Sequence, residues 1–229
     1  MLATFHTIPL GIDQTYLLLG EDGTGILLDG GMPGRDRAFP KALEKLSIAP
    51  DRVKLILITH GHWDHIACAR SIKALTGAPV AMHEKDADRL EMGIGVMPQG
   101  TTAWGKTFGL LLGPLSRIMS IPSTDVDIRI GDKGMELSGY GIPGKVIHTP
   151  GHSPGSVAVI LETGEAFVGD SAMNGFPLRM RPGTPIFAEQ EELIRDSWRK
   201  ILNAGAKTVY PAHGRSFPAD VMRRELDIA

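Results

Sequence analysis

Cysteine is almost missing from this chain: Cys68 is the only one among 229 residues. A lone thiol cannot close an internal disulfide, so packing must hold the fold, and the expected compartment is a reducing one, the cytoplasm. The opening stretch MLATFHTIPL has no basic start followed by an apolar core, so no secretion signal is expected. No uncharged apolar run is long enough to span a bilayer, and no transmembrane segment is expected. A strong charge of either sign is lacking too. The 24 basic and 26 acidic residues leave a formal net charge of −2, with no long run of one sign. That pattern gives no strong nucleic-acid signal and no acidic tail. A hydrophobic content of 42% and a charged content of 22% are ordinary for a globular chain of this length, which can bury one sizeable core. We expect a single domain over 1–229.

Glycine and proline are plentiful, at 28 and 16, and predict many tight turns between short strands. TFHTIPL, QTYLLLG and GILLDGG are short apolar or alternating runs separated by GID and EDGTG, which are hairpin signals. GRDRAFPKALEKL predicts a helix with Phe39, Leu43 and Leu46 on one face. RVKLILI is almost continuously apolar and reads as a strand buried on both faces. HIACARSIKALTG predicts a helix ending at Gly77, with Cys68 as a small buried residue just inside it. Further short strands follow from DIRIGD to EAFVGD, then a helix over AEQEELIRDSWRKILNAG, a last strand at TVYPAHG and a short closing helix. Between the halves lies an apolar segment at about 92–121, in which Lys106 and Arg117 are the only charges. There Trp104, Phe108, Leu111, Leu112, Leu115 and Met119 fall at helical spacing, so a helical insert is expected.

The chain has eight histidines, and three of them stand in THGHWDHI directly after the apolar strand VKLILI. Three more loops follow apolar runs and carry metal-capable side chains: His152 in HTPGHSPGS, Asp170 in FVGDSA and His213 in YPAHG. Loops at strand ends are where a rigid scaffold presents functional groups. With His60, His62, Asp64 and His65 the set is seven residues. Imidazole and carboxylate donors suit zinc first, and also iron or manganese. Seven donors exceed one tetrahedral ion, whereas two ions sharing a carboxylate would use all of them and leave room for a hydroxide between. In an extended loop, residues two apart point the same way, so His60, His62 and Asp64 are expected to converge, with His65 reaching from the other side. His6, His83 and His148, isolated at strand ends, read as structural.

These four motifs, in this order, resemble the signatures of the metallo-β-lactamase superfamily, from the first strands to His213. The resemblance implies an α/β fold, a four-layer αβ/βα sandwich with two mixed β-sheets and external helices, with the metals at one edge between the sheets. It implies that His60, His62 and His152 bind one ion, that Asp64, His65 and His213 bind the other, and that Asp170 bridges them. Asp29 in LLDGG matches the family's early acidic residue and is expected behind the ligands, holding the histidine loop. The implied chemistry is that of a dinuclear hydrolase using a bridging hydroxide, with Asp64 orienting the nucleophile or carrying a proton.

Within the superfamily, Asp170 argues against a true β-lactamase, which lacks the bridging aspartate. Glyoxalase II shares the metal motifs but usually continues into a helical glutathione-binding region, and few residues remain here after Gly214. Its glycines after the histidine motif are replaced by Ala67 and Cys68, and the tyrosine that lactonases commonly place three residues after the bridge is Met173. The leading reading is a hydrolase of an ester, thioester or lactone with an apolar moiety, a small-molecule substrate. The alternatives are a phosphodiesterase and, in another class, a mononuclear iron persulfide dioxygenase. Trp104, Phe108, Leu112 and Met173 are candidate substrate contacts, and Arg179 and Arg181 are candidates for holding a substrate anion. The apolar insert is alternatively core or the interface of a homodimer.

Overall fold

A computed structural model of the protein describes residues 3–118 and 121–227, with side chains throughout that range except at 112–118. Met119 therefore lies outside the described residues, as do the side chains of Leu112 and Leu115. Strands β1 (Thr4–Pro9), β2 (Gln14–Leu19) and β3 (Gly25–Leu28) open the chain as an antiparallel meander. Helix α1 (Ala38–Leu46) leads to β4 (Val53–Ile58), and the helical turn α2 (Trp63–Ile66) with helix α3 (Ala69–Thr76) leads to β5 (Val80–His83). Helix α4 (Glu84–Glu91), the short strand β6 (Gln99–Gly100), helix α5 (Ala103–Ile118) and β7 (Ile128–Ile130) complete the first half. The second half runs β8 (Met135–Glu136), β9 (Gly144–His148), β10 (Val157–Leu161), β11 (Glu165–Phe167), β12 (Phe187–Ala188), α6 (Ile194–Asn203), β13 (Thr208–Tyr210), β14 (Phe217–Pro218) and α7 (Asp220–Asp227).

Two six-stranded sheets result, ordered β1-β2-β3-β4-β5-β7 and β14-β13-β11-β10-β9-β8, and β6 pairs with β12 in a separate ribbon. Both large sheets are mixed. In the first, β3, β4, β5 and β7 are parallel; in the second, β11 and β13 are.

Alternation along the strands makes the layers. Leu55 and Leu57 of β4, Ile26 and Leu28 of β3 and Val157, Val159 and Leu161 of β10 meet between the sheets. Ile56 and Ile58 of β4 face the other way, onto Phe39 and Leu43 of α1 and Ile72 of α3. Ala158 and Ile160 of β10 likewise turn outward, onto Trp198 and Ile201 of α6 and Met222 of α7. Period-two side-chain alternation thus feeds three apolar layers from two sheets. Each fully buried leucine or isoleucine contributes about 1.5–3 kcal/mol, so a one-residue slip in β4 would forfeit packing on both faces at once. Helix α3 ends at Gly77, whose left-handed backbone (φ 71°) caps it.

The parallel strands carry their C-terminal ends to one edge of the sandwich. The loops after β3, β4, β11 and β13 and the β9–β10 turn gather there. The insert is fastened over the same edge. Its β6 pairs with β12, the Thr101 N–H donates to the Ile186 carbonyl at 2.8 Å, and the Trp104 indole N–H donates to the Pro177 carbonyl at 2.9 Å. Among the described residues no helix is long and apolar enough to cross a membrane.

Candidate metal centre

The histidine loop leaves β4 in extended form only as far as His62 (φ −88°, ψ 153°), and α2 begins at Trp63. The helical turn separates Asp64 from the two histidines with which alternation alone would group it. Nitrogen atoms of His60, His62 and His152 lie within 4.8 Å of one another, and donor atoms of Asp64, His65 and His213 form a second group of the same size. Asp170 stands between the groups. One of its oxygens, Oδ2, is 3.4 Å from His152 Nε2 and 3.3 Å from His213 Nε2, and Oδ1 is 3.6 Å from His65 Nε2. His213 Nε2 is also 3.3 Å from Asp64 Oδ2. All seven side chains are buried.

The outer hydrogen bonds assign the tautomers. Asp29 Oδ1 accepts from the Thr59 N–H at 2.7 Å, and the Thr59 hydroxyl donates to the same carboxylate. The Thr59 oxygen is then an acceptor for His60 Nδ1–H, 3.0 Å away. Asp29 Oδ2 takes His65 Nδ1–H at 3.0 Å, and the Phe187 carbonyl takes His152 Nδ1–H at 2.8 Å. In the neutral ring, each of these bonds leaves a bare lone pair on the other nitrogen, directed inward. His60 Nε2, His65 Nε2 and Asp170 Oδ1 are buried and have no hydrogen-bond partner. Buried orphan acceptors of this kind are costly unless a cation satisfies them. The donor set, its spacing and its orphan atoms therefore fit divalent ions.

Electrostatics divides the two groups. Burial, reinforced by His65, His152 and His62, pushes His60 well below the usual histidine range, and burial with His62 brings His152 down to about 4. Both are neutral imidazoles at pH 7. Burial opposes charge on His213 as well, but Asp170 and Asp64 overcome it and raise His213 to about 10. Burial would raise Asp170, yet His213 and His65 hold it well below the carboxylate range. An ion in the second group would take over the compensating charge that protonated imidazole supplies without it.

Close approach of the loops depends on small residues. Gly169 precedes Asp170 with φ 51°, and a Cβ there would lie 2.7 Å from the Thr59 hydroxyl oxygen. Gly155 packs on Asp86, where a Cβ would meet the carboxylate carbon at 2.7 Å. Asp86, fully buried on α4, was not read as functional in the sequence. Its carboxylate accepts from Gly61 N–H (2.9 Å), the Ser153 hydroxyl (2.5 Å) and Gly155 N–H (3.0 Å), and so ties the His60–His62 loop to the His152 loop. Glu189 and Arg89, which contact the site through His62, were also missed. No spacing rule marks them, because their partners lie far away along the chain.

A pocket opens onto the cluster. Met97, Pro98, Phe108, Leu178 and Phe187 line it, together with Met173 and five of the metal-capable residues. Trp104 is not among the lining residues; it is 49% exposed and bonded to Pro177 at the rim. Leu111 is 72% exposed and also faces away. Arg179 donates to the carbonyls of Arg181 and Thr184 within its own loop, and neither arginine lines the cavity. Elsewhere, His83 and His148 stack at 4.0 Å beside Asp132. His83 Nε2 and His148 Nδ1 both face Asp132 Oδ1, at 3.2 and 3.1 Å, and the Lys85 ammonium binds the same oxygen at 2.7 Å.

The four-layer sandwich thus gathers two groups of metal-capable side chains at one sheet edge. The chain belongs to the metallo-beta-lactamase superfamily, whose family model matches residues 10–213. It is 30% identical over 149 residues to a probable metallo-hydrolase of Methanocaldococcus jannaschii, covering 65% of this chain and 62% of that protein. It is 26% identical over 164 residues to the hydroxyacylglutathione hydrolase GloC of Haemophilus influenzae, covering 69% and 66%. The chain thus spans less than two thirds of the length of these relatives. Among solved structures, the BLEG-1 B3 metallo-beta-lactamase superposes with a TM-score of 0.70 at 26% identity, covering 98% of this chain and 97% of that one.

Proposed function

We propose that the protein is a dinuclear metal-dependent hydrolase of carboxylic esters, thioesters or lactones that carry an apolar moiety, with zinc as the expected metal. The observation that carries this reading is Asp170, set between two groups of metal-capable side chains beside a largely apolar pocket. His60, His62 and His152 would hold one ion, Asp64, His65 and His213 the other, and Asp170 would join them. When bound, a pair of divalent ions lowers the pKa of water and polarises a carbonyl or phosphoryl oxygen. The chain's own contribution is binding and orientation. Phe108, Met97, Leu178 and Phe187 take the apolar part of the substrate and exclude water around the scissile group. Asp64, at the cavity wall beside His213, is placed to hold a proton leaving the attacking water or to return it to the leaving group. Asp29 keeps Thr59, His60 and His65 in register.

The likeness to a hydroxyacylglutathione hydrolase supports the thioester class, and the apolar lining supports a hydrophobic acyl group. A panel of acyl esters, acyl thioesters, lactones, a β-lactam and phosphodiesters, assayed with zinc-loaded protein, tests the proposal. Highest kcat/KM on an acyl ester, thioester or lactone is expected. Preferential turnover of a phosphodiester or the β-lactam would overturn it.

A further inference from the structure

The segment that follows the cavity wall does more than line it. Within three residues, Phe187 to Glu189 meets two of the three histidines of the first group. The Phe187 carbonyl accepts from His152 Nδ1–H at 2.8 Å, and Glu189 Oε1 lies 2.9 Å from His62 Nε2. The segment is seated by its backbone, with Glu189 N–H donating to the His152 carbonyl (3.1 Å) and Gln190 N–H to the Gly151 carbonyl (2.9 Å). Arg89, from α4, grips the Glu189 carboxylate with both guanidinium nitrogens, at 2.7 and 2.8 Å. A forked pair of this kind fixes the plane of the carboxylate as well as its position.

The consequence for His62 follows from lone pairs. A ring nitrogen facing a carboxylate oxygen at this distance must carry the hydrogen, so in the neutral ring Nε2 is the donor and Nδ1 is bare. His62 Nδ1 lies 2.8 Å from His152 Nε2, which the Phe187 bond has also left bare. Two nitrogens at that separation share a proton or, in the neutral rings, direct both lone pairs at one cation. The segment thus turns two imidazoles into one convergent pair of donors.

We propose that Glu189, clamped by Arg89, is a positioning residue for the first ion, setting the His62 tautomer and ring orientation so that Nδ1 is presented as a ligand. The inference rests on the reading of the site as a two-ion centre and needs no particular substrate. Carboxylate partners of ligating histidines generally contribute 10–100-fold to metal affinity. Glu189→Gln keeps an oxygen that can accept from Nε2–H, whereas Glu189→Ala removes it. Arg89→Met leaves the carboxylate in place but frees it to rotate.

The test is titration of the metal-free full chain with zinc against a chromophoric chelator, alongside cobalt(II) spectra and melting of the metal-free protein. Wild type should take up two ions. In Glu189→Ala, one of the two binding steps should weaken by about 10–100-fold and the cobalt spectrum should change, while metal-free melting stays at the wild-type value. Glu189→Gln should recover most of the affinity, and Arg89→Met should fall between. Wild-type constants and an unchanged cobalt spectrum in Glu189→Ala would overturn the inference. So would a fall in metal-free melting that accounts for the whole loss of affinity. If wild type itself does not bind two ions, the two-ion reading fails first, so the two failures are distinguishable.

Discussion

Asp86→Asn is a sharp probe of how the fold holds the metal loops, because its cost can be worked out bond by bond. The Asp86 side chain is fully buried and accepts three hydrogen bonds: Gly61 N–H and the Ser153 hydroxyl reach Oδ2, and Gly155 N–H reaches Oδ1. An asparagine oxygen can keep only one of these two positions. Its better choice is the Oδ2 position, which retains two bonds, and the amide NH2 then opposes Gly155 N–H, donor against donor. One buried donor left unsatisfied costs about 1–3 kcal/mol. Asp86→Ala abandons all three bonds and should cost about 3–9 kcal/mol by the same reasoning, a large share of the total stability of a single domain. Urea unfolding of the metal-free chain should show Asp86→Asn with a lower midpoint at unchanged slope. Zinc affinity should fall as well, because the variant loosens the tie between the His62 and His152 loops. An Asn variant within about 0.5 kcal/mol of wild type, the usual range of a neutral surface change, would refute the assignment of Asp86 as the tie.

Phe108→Ala should raise KM for long-chain acyl substrates more than for short ones, graded along a chain-length series at about 1–3 kcal/mol per methylene lost from contact; equal loss for all lengths would remove Phe108 from the binding wall. Asp13 is buried with both carboxylate oxygens unpartnered, and burial raises it from 3.8 to about 6. Its native form therefore binds the proton more tightly than its unfolded form, and stability falls as pH rises through that window. Asp13→Asn should stabilise the metal-free chain at about pH 8 by at most about 3 kcal/mol, with the gain shrinking toward pH 4; urea unfolding at the two pH values checks it, and a destabilised variant at the higher pH contradicts it. Asp170→Asn should lower turnover by orders of magnitude with the circular dichroism spectrum unchanged, and near-normal turnover would exclude a bridging role.

Much of the fold is written locally. The almost continuous apolar run VKLILI was enough to predict a strand buried on both faces, and β4 indeed feeds two different apolar layers. The metal-capable residues were legible because each stands at a strand end in a short motif, and the structure brings the whole set within reach. The grouping was less legible. Extended alternation would put Asp64 with His60 and His62, but α2 begins at Trp63 and turns Asp64 toward His213. Helical spacing on α5 likewise gave one stripe, and yet Phe108 lines the cavity while Leu111 is exposed, since the ribbon of β6 and β12 decides which face is covered. Asp86, Arg89 and Glu189 were invisible for a different reason. On the sequence they are ordinary helix and loop charges, and only the fold closes the 100 residues between Arg89 and Glu189. Arg179 shows the converse: a charge beside the Asp170 loop that was a candidate for a substrate anion bonds to carbonyls of its own loop and does not line the pocket.

The central claim is that two ions share Asp170, and metal content measures it most directly. Protein purified with ample zinc, and separately with manganese and iron, should be analysed for metal per chain in wild type and in Asp170→Asn. We expect close to two ions in wild type and a value falling toward one in the variant. A reproducible wild-type value of one or less, with every metal supplied, would contradict the dinuclear centre.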